Sequence, residues 1–485
     1  MRTCVRMLLD HLQNSRDVDN WRENEPLFSV PAPVAKKQTI EVRDPLHVFV
    51  KLSAAELPVL NCRAFQRLRH IHQLAMSYLV YPGATHRRFE HSLGVMELGT
   101  RIFDVVIDAE HLTDEVRDIV PTDPFDREYW RRVLRVAALC HDTGHLPFSH
   151  AAERELLPEG ADHETLTEQI VRSGEMQAVW QEMKLDPSDI VLLAVEPEDV
   201  GVLPPWQAIL NEIITGASFG ADRMDYLLRD SLHVGVAYGR FDHFRLIDTL
   251  RILPPAPVDA GQIDEQNARD PEPQLGIEVG GLESAEALVL ARYFMFSQVY
   301  LHRVRRIYDI HLKDFLQAWL PDGRFSLDID THIATTDNEV LAAMQTAAHD
   351  RGHPGHIHAR RIVYREHFKV LYAPTPDELA ANDEAAHQVY AAAVDRYGED
   401  SVRFDRYTKG AGSAEFPVLQ ANGKAGSSTS VSGVLAKVPE ASTHHVFVAR
   451  EAFDDARKWV DANLASLTEP RAEEVDDPDD GKEGS

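Results

Sequence analysis

The stretch LCHDTGHLPFSH, Leu139 to His150, gathers three histidines and an aspartate at the end of an apolar run. The preceding residues, WRRVLRVAALC, place Val133, Val136, Ala137 and Cys140 at i, i+3, i+4 and i+7, which is one face of a helix. His141 and Asp142 therefore close a core helix at its buried end. An imidazole and a carboxylate delivered from one rigid position are half of a mixed nitrogen and oxygen metal site. Neutral histidine suits Zn, Fe, Mn and Ni, and a carboxylate adds charge for a divalent ion. In a chain with 24 histidines such a pair arises readily by chance, so it needs partners elsewhere.

Working outward, RRFEHSLGVMELGTRIFDVV puts His91 at the head of the stripe Val95, Leu98, Ile102 and Val106, so on a helix it projects into the core. The plain alternative is a core histidine bonded to a backbone carbonyl. In GADRMDYLLRDSLHVGVAYGRFD, Asp222, Tyr226 and Asp230 fall at i, i+4 and i+8 on one helix face, with Arg223 beside them and Asp225 and Arg229 further round. A solvated, salt-bridged face reads equally well there. The cluster HPGHIH, with His353, His356 and His358, has no carboxylate or cysteine to complete a sphere, and its Pro and Gly favour a loop.

Bulk properties bound the answer. With 44% hydrophobic and 26% charged residues, the 485-residue chain has the composition of a soluble globular protein. Its 50 Lys and Arg against 78 Asp and Glu give −28, a field that disfavours sequence-independent nucleic-acid binding but admits a small phosphate ligand in a local basic pocket. Cys4, Cys62 and Cys140 have no paired spacing, which favours a reducing compartment. Without a signal-peptide core or a run of about 18 apolar residues, the expectation is a cytoplasmic protein that does not span a membrane.

The organisation expected is mainly α. Residues 1–36 read as a polar extension and 37–252 as a helical core opening with a hairpin in IEVRDPLHVFVKLS. Residues 253–276 read as a Pro- and Asp-rich connector, 277–468 as a smaller α+β lobe and 469–485 as a disordered acidic tail. Within the lobe, a strand at LGIEV, one helix from Leu282 to Leu320 and a strand in RRIVYREHFKVLYAP are expected. Gly410 to Ser432 should be a mobile Gly/Ser-rich loop.

A histidine, then His-Asp about 50 residues on, then an aspartate about 80 later, each on its own helix, resembles the HD-domain metal-dependent phosphohydrolase superfamily. More closely, DPLHVFVKLSAAELPVLNCRAFQRLRHIHQL, YPGATHRRFEHSLGV, LCHDTGHLPFSH and ADRMDYLLRD together resemble the deoxynucleoside triphosphate triphosphohydrolases, which include the sterile-alpha-motif and HD-domain enzymes and their bacterial relatives. The resemblance covers about Ile40 to Leu250 and continues more loosely to about Lys369.

What the resemblance implies is an HD-domain helical core that hydrolyses deoxynucleoside triphosphates to deoxynucleoside and triphosphate with a divalent metal ion, Mn, Mg, Fe, Zn or Ni. His91, His141, Asp142 and Asp222 match the metal ligands, and His150 and His163 the catalytic and supporting histidines, with His145 in the same role. Glu153 stands where the sterile-alpha-motif members have an aspartate; a carboxylate is kept, one methylene longer. Arg88 matches a phosphate-binding arginine, and Arg223 replaces a lysine, keeping the charge with a forked geometry. Gln73, Leu74, Tyr226 and Asp230 match sugar contacts, and His302 in VYLHRVRR resembles a distal substrate histidine in a shifted register.

The resemblance also implies a homo-oligomer, dimer or tetramer, with a nucleotide activator. Gln66, Arg69, Arg365 and Lys369 match activator contacts, whereas Asn61 replaces a guanine-reading aspartate and Ile40 a phosphate-binding lysine. Two other readings stay open at this point: an HD-type phosphodiesterase acting on cyclic or oligonucleotides, and a non-catalytic nucleotide-binding regulator.

Overall fold

The computed structural model describes residues 39–149, 153–195, 203–254, 273–409 and 415–469. The 1–36 extension, most of the connector, His150 and all but the first residue of the acidic tail lie outside the described residues. The fold is mainly α, with helices around the HD pair and a smaller α+β region after it.

The chain enters through a hairpin, β1 (Thr39–Asp44) and β2 (Val48–Ser53), whose antiparallel register closes at Asp44 opposite Val48. Two long helices follow. In α1 (Arg88–Val106), Glu90 accepts from the Arg87 backbone N–H at 2.8 Å, closing the first turn, and His91, Val95, Leu98, Ile102 and Val106 are all buried, as the stripe requires. In α2 (Pro124–Cys140), Pro124 opens the first turn and the Asp123 carboxylate accepts from Phe125 N at 2.9 Å. Its apolar face leads into the buried His141 and Asp142.

Shorter helices surround this pair: α3 (His163–Val171), α4 (Gly174–Met183), α5 (Pro187–Ala194), α6 (Pro205–Thr215) and α7 (Ala221–Val234). α7 packs on α1 at Gly94, where a Cβ would meet Asp225 Oδ1 at 1.9 Å. Only glycine allows that approach.

Strand β3 (Leu250–Leu253) pairs antiparallel with β4 (Gln274–Glu278), Leu250 opposite Ile277. The single long helix expected from Leu282 to Leu320 is instead two, α8 (Leu282–Met295) and α9 (Arg303–Trp319), separated by a π turn over Phe296–Tyr300. The break follows from side chains that leave the helical pattern. Tyr300 turns its hydroxyl inward to Asp230 at 2.6 Å, and His302 Nδ1 accepts from Val304 N at 3.3 Å to start the next helix. Helices α10 (Asp337–His349) and α11 (His356–Val363) pack on α9 or on each other.

Three further expectations are corrected. RRIVYREHFKVLYAP is helical through Val363 and turns at Arg365 (φ 58°), so only β5 (Lys369–Tyr372) is strand. HPGHIH is not a continuous loop, because His356 begins α11 and its Nδ1 lies 2.8 Å from Ala347 O. After α12 (Ala385–Tyr397) and β6 (Val402–Lys409), the Gly/Ser-rich stretch also contains structure: β7 (Pro417–Leu419) and β8 (Ala425–Ser427) extend the β3–β4 sheet, and Ser428–Val431 is helical. Phe416 and Val418 anchor it in the core, which the surrounding glycines conceal in the sequence. Strand β9 (Ala441–Val448) lies between β5 and β6, covered by α12 and α13 (Phe453–Leu467). Among the described residues no helix is long and apolar enough to cross a membrane.

One half-buried acid ties these layers together. Glu212 on α6 accepts from Leu275 N on β4 at 2.9 Å, and burial pushes its carboxyl up from 4.5 to about 7, outweighing that bond. A raised carboxyl pKa means that the folded state holds the proton more tightly than the unfolded state. Its stabilising effect is therefore complete below pH 4.5 and is lost as pH rises through 7. The shift corresponds to roughly 3 kcal/mol. Glu212→Gln should melt above the wild type at pH 8 and close to it at pH 5; an equal melting difference at the two pH values would refute this.

Candidate metal and phosphate site

Three helices deliver the polar cluster. His91 comes from the first turn of α1, His141 and Asp142 from the end of α2, and Asp222 from the first turn of α7. Ligating atoms of His91, His141 and Asp142 lie within 4.8 Å of one another. Asp222 Oδ1 is 2.9 Å from His91 Nε2 and 3.7 Å from His141 Nε2. The Asp222 side chain is 37% exposed against 8% or less for the other three, so the cluster opens on the α7 side.

The chemistry of these donors fits a cation. His141 Nδ1 lies 2.8 Å from Ala138 O, and since a carbonyl only accepts, Nδ1 carries the hydrogen. In the neutral ring Nε2 is then a lone pair. It is buried, without a hydrogen-bond partner, 3.4 Å from Asp142 Oδ1. Lone pairs converging from an imidazole and two carboxylates are the donor set of a divalent ion. His91 shows the same demand: burial lowers its pKa, but hydrogen bonds to Asp222 and Asp225 prevail and push it up to about 10.

The support behind His91 was not legible beforehand. Its Nδ1 is 2.8 Å from Asp225 Oδ2, which orients the ring so that Nε2 faces the cluster. Asp225 also bonds His47 Nε2 at 2.8 Å and accepts from Arg229 Nε at 2.7 Å and Nη2 at 3.0 Å. Arg229 in turn donates to Asp44 at 2.9 Å. Burial would raise the Asp225 carboxyl, but the Arg229 guanidinium, with His47 and His91, holds it well below the usual carboxylate range.

On the other side of Asp142 lies a second group. Asp142 Oδ1 is 3.0 Å from His145 Nε2, and Asp142 Oδ2 pairs with Arg88 Nη1 at 2.7 Å. The His145 ring stacks on His163 with centroids 4.0 Å apart, and Glu153 Oε1 lies 2.7 Å from His163 Nδ1. Gly144 makes room for this, since a Cβ there would come 2.0 Å from His163 O. The stacked imidazoles are driven apart in basicity. Burial, with Arg88 and His163, holds His145 well below the usual range, whereas His163 is raised because Glu153 outweighs burial.

The remaining expected residues have the following surroundings. Arg223 buries Nε and Nη1 without hydrogen-bond partners. Tyr226 is on the same turn, its hydroxyl pushed up by burial despite Arg223 and Arg292. Asp230 is buried, with Oδ1 2.7 Å from His86 Nε2 and Oδ2 accepting from Tyr300. Gln73 leaves its Oε1 buried without a partner, Leu74 is buried, and His302 caps α9 beside Tyr81. Of the activator positions, Arg69 donates to Gln66 at 2.9 Å and lies 3.5 Å over Phe89, Arg365 donates to Leu79 O, Lys369 lies over Phe453, and Asn61 is exposed.

Known proteins resemble this chain over much of its length. Residues 88–175 match the HD domain and residues 260–397 the HD associated region. A crystal structure of a hypothetical protein from Aquifex aeolicus superposes with a TM-score of 0.68 at 30% identity, covering 87% of this chain and 99% of that one. An uncharacterized protein of Methanocaldococcus jannaschii is 34% identical over 56% of this chain and 48% of its own length. The deoxynucleoside triphosphate triphosphohydrolase of Gallus gallus is 26% identical over 71% of this chain and 58% of its own length. The chain thus spans about half the length of the curated relatives it matches. The chain belongs to the HD-domain phosphohydrolase superfamily.

The carboxylate behind His91 gives a direct test. Asp225→Asn should weaken divalent-cation binding by about 10- to 100-fold, measured as metal retained after dialysis against graded chelator. Wild-type retention would show that the ring needs no such clamp.

Proposed function

We propose that this protein is a metal-dependent phosphohydrolase that converts deoxynucleoside triphosphates to deoxynucleoside and inorganic triphosphate. The observation that carries the reading is Arg223, whose buried Nε and Nη1 lack partners on the residue next to Asp222, at the open side of the His-Asp cluster. Buried donors of fixed charge beside a cation site suit a polyphosphate. The similarity to named triphosphohydrolases gives independent support.

His91, His141, Asp142 and Asp222 would hold the divalent ion, which when bound supplies Lewis-acid polarisation of a phosphoryl oxygen and a more acidic water. The protein's own groups do the rest. Water gives up one proton as its oxygen bonds to the α-phosphorus, the bond to the sugar 5′-oxygen breaks, and that oxygen takes up a proton, so none is gained or lost overall. The His163–Glu153 pair favours the protonated imidazole and so suits proton donation, while His145 stays neutral beside Asp142. His150, next in the chain after Ser149, keeps the catalytic role implied by the resemblance. Arg88 and Arg223 neutralise phosphate charge. Tyr226 would stack on the deoxyribose and exclude a 2′-hydroxyl, and Asp230 has lone pairs left for the 3′-hydroxyl. A homo-oligomer responsive to a nucleotide bound at Gln66, Arg69, Arg365 and Lys369 is part of the same reading.

The assay is to incubate the protein with Mn, Mg or Fe and each deoxynucleoside triphosphate, ribonucleotide or dinucleotide, alone and in pairs, identifying products and measuring mass. Triphosphate and deoxynucleoside are expected, and Asp222→Ala should lower turnover at least about 100-fold. Nucleoside monophosphates from dinucleotides would favour the phosphodiesterase reading, and nucleotide binding with no products the regulator. A second prediction concerns the sugar. Wild type should prefer deoxyribonucleotides and Tyr226→Ala should narrow the preference, so equal rates on both sugars in the wild type would count against the assignment of Tyr226.

A further inference from the structure

The HD loop is held at its far end by a residue almost two hundred positions away. Phe148 and Ser149 both have φ of 58°. Neither is glycine, and a left-handed backbone is unfavourable for such residues, so two in succession persist only where surroundings impose them. The surroundings are specific. Asp337, the first residue of α10 and wholly buried, accepts from Phe148 N at 2.8 Å through Oδ1. Its Oδ2 lies 2.7 Å from His72 N and 2.6 Å from His72 Nδ1. The His72 ring stacks on Phe148 at 5.8 Å with planes 9° apart, so one carboxylate fixes both the loop backbone and the ring against which Phe148 lies.

The neighbouring turn grips the same loop. Arg67 donates from Nε to Thr335 O at 2.9 Å and from Nη1 to His145 O at 2.8 Å. Leu146 and Phe148 belong to the core cluster of α9 and α10, not to that of α1 and α2. The loop therefore leaves one core at Asp142 and enters another by Leu146, and its bonds to 335–337 determine how the two are registered.

We propose that Asp337 is a positioning residue: by holding Phe148 and Ser149 in the left-handed conformation it sets His145, and the backbone leading to His150, relative to Asp142. This rests on the hydrolase reading only for its kinetic consequence.

The variant is Asp337→Asn, which keeps size, removes the charge and turns one of the two acceptor oxygens into a donor amide, so Phe148 N and His72 can no longer both be served. In hydrogen exchange, a peptide spanning residues 143–149 should exchange at least about tenfold faster, with α1 and α2 unchanged and bound metal at the wild-type level. With nucleotide, kcat should fall about 100-fold while KM stays within about threefold, as displacement of a group near the chemistry predicts. Ser149→Gly removes the cost of one left-handed residue and also the acceptor for Arg88 Nε at 2.8 Å, so the double variant is read against Ser149→Gly alone, and in that background Asp337→Asn should cost at least about tenfold less kcat than it does in the wild type. Unchanged exchange overturns the proposal, as does a loss explained by KM or metal content, or an undiminished kcat cost in the glycine background. If Asp337→Asn does not fold, His72→Gln, which removes the ring contact to Asp337 together with the stacking on Phe148 and leaves the bond from Phe148 N to Asp337, must give the same pattern at smaller size. A wild type that turns over no nucleotide would defeat the hydrolase reading, and the exchange result would still decide the role of Asp337.

Discussion

Removing a carboxylate from water is costly unless its lone pairs find donors, and much of this structure depends on how Asp225 finds them. His47, His91 and the Nε–Nη2 edge of Arg229 close on it from three parts of the chain. Because one of these donors belongs to the ligand cluster, the interaction that makes the buried charge tolerable also fixes a ligand's tautomer and ring orientation. The α1–α7 crossing follows from the same contact, since Gly94 is what brings the helix carrying His91 close enough to the one carrying Asp225.

Helices suit this arrangement better than loops would. A ligand on a packed helix has little freedom left to lose when a cation or phosphate arrives, so less binding energy is spent on ordering it. His91 and Asp222 stand in the first turns of α1 and α7, and His141 directly follows α2, so all three arrive at helix ends whose bodies are packed in one core. The less protected side is at Asp222, where Arg223 offers unpaired donors. Access and charge therefore coincide at the place where a polyanion would enter.

Much of this was legible in the sequence, for a physical reason. Helical periodicity is local, so the stripe behind His91 and the apolar face before His141 announced which side chains turn inward. The hairpin of Thr39–Asp44 and Val48–Ser53 and the strand at Gln274–Glu278 were legible from their β-branched content. What failed depended on distant partners. The break after Met295 requires Tyr300 to meet Asp230, and the short strands after Glu415 require Phe416 and Val418 to find the core. Asp225 shows the limit most sharply. Its i+4 partner Arg229 could be read from ADRMDYLLRD, where a solvated salt bridge was the plain reading, yet both are buried because His47 lies 178 residues away in sequence and touching in space.

The same contrast explains why a short motif carries so much of the signal and so little of the mechanism. Residues 141–149 contain the His-Asp pair, His145 and the left-handed turn, so a reader of the sequence sees most of the chemistry in one place. Each of those groups is oriented from elsewhere: His145 is stacked by His163, its carbonyl is held by Arg67, and Phe148 is tied to Asp337. His91, the motif's distant partner, is held by Asp225, and Asp225 through Arg229 by the hairpin's Asp44. Two chains that both carry His-Asp can therefore differ in metal affinity and rate without differing at any candidate ligand, because His91 is oriented from the hairpin and α7, and the loop carrying His145 from Arg67 and α10.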